Sequence, residues 1–338
     1  MGQCFFSGSN SGAGFHNYFD GIMPPWAHWM RYFMIKGGPG VGKSTLMKRV
    51  AREAEEGGEE VERFYCSGDP DSLDAVRLVK RGIVFADATS PHCMDPQYPG
   101  AVEEIVNLGE QIDRNRIVKY RDAVEELTKK NKVNYRRAYA FLKAAAALEE
   151  ERYREIASCV EKEKITKLAK EITERIGKGE NGPSRKLFLD AISCKGRVSF
   201  AKDLTEGNRV YRVCGKQSEV VTDLLADAIQ SDRKELFCNP LRPHCVKHML
   251  LRERELFLTT EEGTGGTLLA SEDFLKRVCH PVAEQYFAEA RHMEEAAMQC
   301  LKEYKQMHDD LEEIYRECVD FATISERTEQ LLSFVFVR

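Results

Sequence analysis

The sequence is poor in several things, and each lack narrows what the chain can be. Nowhere in its 338 residues does an apolar run approach the ~20 that a membrane span requires. The opening "MGQCFFSGSN" has neither a basic stretch nor a long apolar core, so no secretory leader is read there. Phe6 stands where a myristoylation signal beginning at Gly2 needs Ser or Thr. There is no excess of positive charge. The net charge is −5, which argues against general binding to nucleic acid or to an anionic membrane. The 11 cysteines include no C-x-x-C pair and read as reduced, mostly buried thiols of a cytoplasmic protein. Their tightest cluster, "CNPLRPHCVKH" with Cys238, His244, Cys245 and His248, matches no standard zinc spacing and reads as ordinary loop and helix.

What is present is a soluble composition, 42% hydrophobic and 31% charged, with enough apolar material for two cores. "YFMIK" (32–36) reads as a buried strand feeding a glycine turn. Leu46, Met47, Val50 and Ala54 then follow at helical spacing until "EEGG" stops the helix. "VERFYCS" (61–67) and "GIVFADATS" (82–90) read as further strands, and "GDPDSLDAVRLV" between them as a turn and a helical start. From about 101 to 178 the apolar positions Ile117, Tyr120, Val124, Leu127, Ala138, Leu142, Ala145 and Leu148 predict long amphipathic helices in an antiparallel hairpin. "GKGENGPSRK" (177–186) is the best linker.

One motif carries chemistry. "GGPGVGKS" (37–44) satisfies G-x-x-x-x-G-K-[ST], which chance would supply only about 0.01 times in a chain this long. It also sits between a strand and a helix, as its mechanism demands. The loop Gly37, Gly38, Pro39, Gly40, Val41 and Gly42 is expected to turn its N–H groups onto the phosphates of ATP. Lys43 would meet the β- and γ-phosphates, Ser44 would bind Mg²⁺, and Thr45 would add a phosphate donor. Asp87, closing an apolar strand, is the expected second Mg²⁺ group. Asp69, in "CSGDPDSLD" with Asp71 and Asp74, is the first choice for a catalytic base, with turn capping as its competing role. His92 reads first as a loop histidine and second as a γ-phosphate sensor. Arg114 and Arg116 read as solvated helix charge. Lys36 precedes the first glycine, so the signature-lysine variant is not met. The absence of "LSGGQ" weighs against a transporter-type ATPase, and the absence of the guanine-reading "NKxD" favours ATP over GTP.

The second half echoes the first in order. Phe6 falls over Phe188, Gly14 over Gly196, Arg31 over Arg209, Gly37 over Gly215, Cys66 over Cys238, Phe85 over Phe257 and Leu142 over Leu301. At fixed spacing Lys43 faces Val221, Asp87 faces Thr259, and only Ser44 keeps a hydroxyl opposite, in Thr222. The expected fold is therefore α/β: two tandem P-loop-like, mostly parallel sheets with helices on both faces, each followed by a long helical hairpin. The expected domains are 1–178, with its hairpin from about 101, and a degenerate 184–338, with a hairpin at about 272–330.

From "FFSGSNSGAGF" through the loop, "CSGDPDSLD" and "ADATSPHCMDPQYPGAVEEIVNLG" to the second half, the chain resembles a bacterial family of tandem P-loop ATP-binding proteins. The resemblance implies nucleotide binding by Gly37–Thr45. In that family the second half usually keeps a phosphate loop too, and here it is lost at Gly215–Thr222. The functional expectation is an Mg²⁺- and ATP-binding ATPase of regulatory or mechanical role, with a protein partner engaged through the helical hairpins. The alternatives are a small-molecule or nucleotide kinase and a non-catalytic ATP-binding assembly protein. The oligomeric state is left open.

Overall fold

The structure is a computed structural model describing residues 2–177, 182–231, 233–276 and 281–336, so residues 178–181 of the expected linker lie outside it. The first half runs β1 (Gln3–Phe6), β2 (Gly8–Ser11), β3 (Gly14–Asn17), β4 (Arg31–Lys36), α1 (Lys43–Glu56), β5 (Val61–Tyr65), β6 (Leu73–Leu78), β7 (Ile83–Asp87), β8 (Glu103–Asn107), a short α2 (Arg114–Ile117), α3 (Arg121–Cys159) and α4 (Lys162–Ile176). The second repeats it with β9 (Ser184–Leu187), β10 (Asp190–Ser193), β11 (Gly196–Ser199), β12 (Arg209–Cys214), α5 (Ser218–Ala228), β13 (Lys234–Cys238), β14 (Val246–Leu251), β15 (Leu256–Thr259), β16 (Thr267–Ala270), α6 (Val282–Glu317) and α7 (Phe321–Val335).

Two six-stranded sheets result, ordered β1-β5-β6-β7-β4-β8 and β9-β13-β14-β15-β12-β16, the same order element for element. Each is parallel except for its third strand, β6 or β14, which is antiparallel to both neighbours. Thus residues 73–78 do not begin a helix. Their two charges misled the pattern: Asp74 and Arg77 are both buried, Arg77 against Glu62 at 2.8 Å. Residues 103–107, inside the expected helical region, form the edge strand β8, parallel to β4.

The period of two along β4 divides its side chains between two cores. Phe33 and Ile35 face α1, and Tyr32 and Met34 face the other way. Helices cover only the first of these faces, a correction to the expectation of helices on both. On the other, Phe5, Tyr32, Met34, Phe64 and Val84 share one core with Leu187, Phe237, Leu250 and Phe257 of the second half. Phe5 stacks on Phe237 with ring centroids 5.7 Å apart. At the seam Phe6 and Phe188 exchange backbone hydrogen bonds of 2.9 and 3.0 Å, the reciprocity expected of equivalent residues on a pseudo-twofold axis.

The helical hairpins are also rearranged. The 39-residue α3 spans about 58 Å, too long to end over its own sheet. It pairs antiparallel with α6 of the other half, Tyr120 meeting Glu317, Tyr135 meeting Tyr304 and Arg152 meeting Phe287. Small residues on both sides, Ala138, Ala145, Ala290 and Ala297 beside Leu142 and Leu301, bring the helices close. The chain then crosses over. Ile165, Ala169 and Ile172 of α4 pack into the second half's core beside Val220, Val221 and Leu225 of α5. In return Ile324, Leu332 and Val335 of α7 pack into the first half's core beside Met47 and Val50. Among the described residues no helix is long and apolar enough to cross a membrane.

Candidate functional site

The site grows from the junction of β4 and α1. Six residues, Gly37–Gly42, separate strand from helix. Gly40 and Gly42 have φ of 69° and 90°, left-handed values that disfavour other residues, and Gly42 caps α1 with its own backbone. Gly40 is needed twice over. A Cβ there would lie 2.6 Å from the Glu312 carbonyl oxygen of α6. Tyr315 of α6 similarly lies over Gly38.

Lys43 folds back over the loop. Its Nζ donates to the carbonyls of Gly37 (3.0 Å) and Gly38 (2.9 Å) and lies 3.6 Å from Asp87 Oδ2. Asp87 Oδ1 accepts from the Thr89 N–H at 2.8 Å and from the Thr89 hydroxyl. Ser44 Oγ accepts from the Leu73 N–H at 3.0 Å, tying the start of α1 to β6. Lys36 Nζ is turned away, donating to Met94 O. A cavity of about 500 Å³ opens over this junction, within the range of small-molecule sites. Gly37, Pro39, Gly40, Val41, Gly42, Lys43, Ser44, Thr45, Asp69 and Asp87 all line it.

The three aspartates of the acidic turn are placed differently from one another. Asp69 Oδ1 accepts from the Asp71 N–H (3.2 Å) and Oδ2 from the Ser72 hydroxyl (3.1 Å), so Asp69 builds the turn. Its Oδ2 also lies 3.5 Å from Lys305 Nζ. Asp71 is exposed and pairs with Lys195. Asp74 is the distinctive one. It is buried in the cavity wall, with Oδ1 3.5 Å from His92 Nε2 and Oδ2 without a hydrogen-bond partner. Burial pushes its carboxyl above the ordinary range, His92 opposes this, and Asp87 adds to it. His92 is no surface histidine: it is buried against Phe15 and Phe19, ring centroids 5.1 and 5.0 Å away. Arg114 and Arg116 are exposed.

One wall was invisible in the sequence. Tyr304, Lys305, His308, Glu312 and Arg316 come from α6, so the second half helps to enclose the first half's cavity. The pairing of α3 with α6 is long-range, and local periodicity carries no signal for it.

In the second half only three residues, Gly215–Gln217, separate β12 from α5. The fixed-spacing comparison therefore fails beyond Gly215. Ser218 opens α5 as Lys43 opens α1, and Thr222, expected opposite Ser44, lies a turn further on and is fully buried. Thr259 pairs with Arg212 as Ala86 pairs with Met34, so Thr259 stands in the place of Ala86, not Asp87. Matching bulges at Phe64/Tyr65 and Phe237/Cys238 set Lys247 where Asp74 stands. Lys247 Nζ donates to Asp190 Oδ1 (3.0 Å). His248 lies between Asp190 Oδ2 (2.9 Å) and Thr259 Oγ1 (2.7 Å), a satisfied buried network. His248 is thus engaged away from Cys238 and Cys245, and His244 sits beside Glu150 at 3.3 Å.

Residues 25–167, less than half the chain, match the family model for the N-terminal region of nephrocystin 3, to which this part of the chain is similar. Neither the curated proteins nor the solved structures compared with the chain gave a match.

Proposed function

We propose that the chain is a P-loop NTPase that binds and hydrolyses Mg²⁺·ATP at one site, in its first half. The observation that carries this reading is the glycine loop with left-handed Gly40 and Gly42, closed by Lys43 beside Asp87 under an open cavity. A triphosphate entering there meets loop N–H groups and the α1 N-terminus, and it offers the Lys43 ammonium better acceptors than two carbonyls. Ser44 and Asp87 supply the hard oxygens that suit Mg²⁺, which takes most of its ligands from water and phosphate. When bound, the ion neutralises charge on the β- and γ-phosphates.

Asp74 replaces Asp69 as the candidate base. A carboxyl raised by burial is better matched to taking a proton near neutral pH than an ordinary aspartate. In hydrolysis the bond between the γ-phosphorus and the bridging oxygen breaks and a water oxygen takes its place. The water's proton passes to Asp74, and ADP and phosphate leave. Lys43→Ala should abolish the thermal stabilisation that Mg²⁺·ATP gives the wild-type protein, and calorimetry should find one nucleotide per chain. An undiminished shift in the variant, or two equivalent sites in the wild type, would refute the assignment.

A second reading is transfer of the phosphoryl group to a small molecule. It draws on the reach of the cavity past Asp87 to Asn10, Phe15, Tyr135 and Tyr304. Phosphate release measured alone and then with a panel of nucleosides and sugars separates the two.

A further inference from the structure

The enclosing wall supplied by α6 is not symmetric between the halves. Just beyond the end of α3 Val160 is bridged to Leu275, and just beyond the end of α6 Val319 is bridged to Ile112. The two bridges are pseudo-twofold equivalents, so positions can be matched by counting back from the two valines. Lys305 then corresponds to Ala146, His308 to Glu149 and Arg316 to Ala157. The helix over the intact loop carries three basic side chains where the helix over the shortened loop carries two alanines and a glutamate. Arg152 of α3, which does reach the shortened loop, is spent on the Lys216 carbonyl and on Glu149.

Both strong cations among these lie at the cavity. The Arg316 Cγ is 3.3 Å from where a Gly40 Cβ would project, so the guanidinium stem crosses the tip of the loop. Lys305 stands on the other side, 3.5 Å from Asp69 in the turn that leads to Ser72 and Leu73. Each is held by acids: Arg316 by Glu312 at 2.6 Å, Lys305 by Asp309 and Asp69. Such partly exposed pairs are weak and readily exchanged for a more highly charged partner. A terminal phosphate carries more charge than a carboxylate and accepts the forked guanidinium geometry equally well.

We infer that Arg316 and Lys305, contributed by the second half, contact the γ-phosphate of a nucleotide bound in the first. The inference rests on the nucleotide reading above and extends it to the group that distinguishes ATP from ADP. It also gives the eroded half a task. The half that has lost its own loop completes its neighbour's site, so γ-phosphate occupancy reports on, and is sensed through, the seating of α6. Arg316 and Lys305 thus act as catalytic residues drawn from across the pseudo-twofold axis.

The test compares ATP and ADP affinities, with Mg²⁺, in the full-length wild type, in Arg316→Ala, in Lys305→Ala and in the double variant. Lys302→Ala, which removes an exposed cation of α6 away from the cavity, is the control. Each cavity variant should lower ATP affinity by about 10- to 100-fold, leave ADP affinity within about threefold, and slow any ATP turnover by about 10³-fold for Arg316. Arg316→Lys should recover part of the ATP preference, because the charge returns without the fork. Unfolding of each variant without nucleotide should match the wild type. If the ATP-to-ADP preference survives in the double variant, the inference is wrong while the nucleotide site stands. If ATP and ADP affinities fall together, α6 only shapes the cavity and the inference is again wrong. If the wild type binds neither nucleotide, both readings fall.

Discussion

Arg185→Met is expected to lower folding stability by about 3 kcal/mol, with little effect at the cavity over the glycine loop. Arg185 is 2% exposed and lies at the junction of the halves. Its guanidinium donates to Glu62 Oε1 (2.8 Å) and Oε2 (2.7 Å), to Glu235 Oε2 (3.2 Å) and to the Gly21 carbonyl (2.6 Å). Glu62 and Glu235 are equivalent residues of β5 and β13, each three before its strand's bulge. One arginine therefore ties the same glutamate of both halves. Its own equivalent is Gln3, whose buried side-chain oxygen has no partner. Removing the arginine leaves two buried carboxylates with one cation each, Arg77 and Arg252. Those remaining partners place the cost at the low end of what breaking a buried pair produces.

The same cluster sets an acid limit. Burial works against the Glu62 charge, but Arg185 and then Arg77 outweigh it and hold the carboxyl at about 2. A depressed folded-state value means that this stabilisation is present above the ordinary glutamate range and is lost as pH falls through about 2. It amounts to roughly 3 kcal/mol. Urea denaturation at pH 7 and pH 3.5 measures both effects. The variant should lose most at pH 7 and show a flatter acid dependence. A loss below about 1 kcal/mol at pH 7 would mean that the network is bought off elsewhere by repacking.

Much of the fold could be read from the chain because its signals are local. The strand ending at Lys36, the glycine turn and the helical spacing of Leu46, Met47, Val50 and Ala54 all appear as expected. Phe6 and Phe188, matched by sequence, prove to be hydrogen-bonded to each other. Other matches slipped by one residue. Tyr65, not Cys66, corresponds to Cys238, and Val84, not Phe85, to Phe257. In strands a slip of one exchanges the two faces, and the match of Asp87 to Thr259 fails for that reason. What was not legible is all non-local. Asp74 and Arg77 look like solvated turn residues until Glu62 and His92 are brought beside them. The basic residues of α6 look like an ordinary helical surface until the helix is laid across the other half.

The halves should therefore fail to fold apart. A chain of residues 1–177 lacks α7, whose Ile324, Leu332 and Val335 are buried in the first half's core. At about 1.5–3 kcal/mol for each fully buried aliphatic side chain, that loss alone is about 5–9 kcal/mol, comparable to the whole stability of an ordinary domain. The same fragment leaves the apolar stripe of α3 without Ala290, Ala297 and Leu301. It also exposes Phe5 and Phe64, which now share a core with Phe237 and Phe257. The fragment from residue 182 onward is no better placed, since Ile165, Ala169 and Ile172 of α4 fill its core from outside. Each piece alone should show weak, non-cooperative thermal transitions and self-associate, whereas the two expressed together should co-purify one to one and regain a single transition. A 1–177 fragment that melts cooperatively as a monomer would show that α7 is an ornament of the first half, and that the exchanged helices do not hold the halves together.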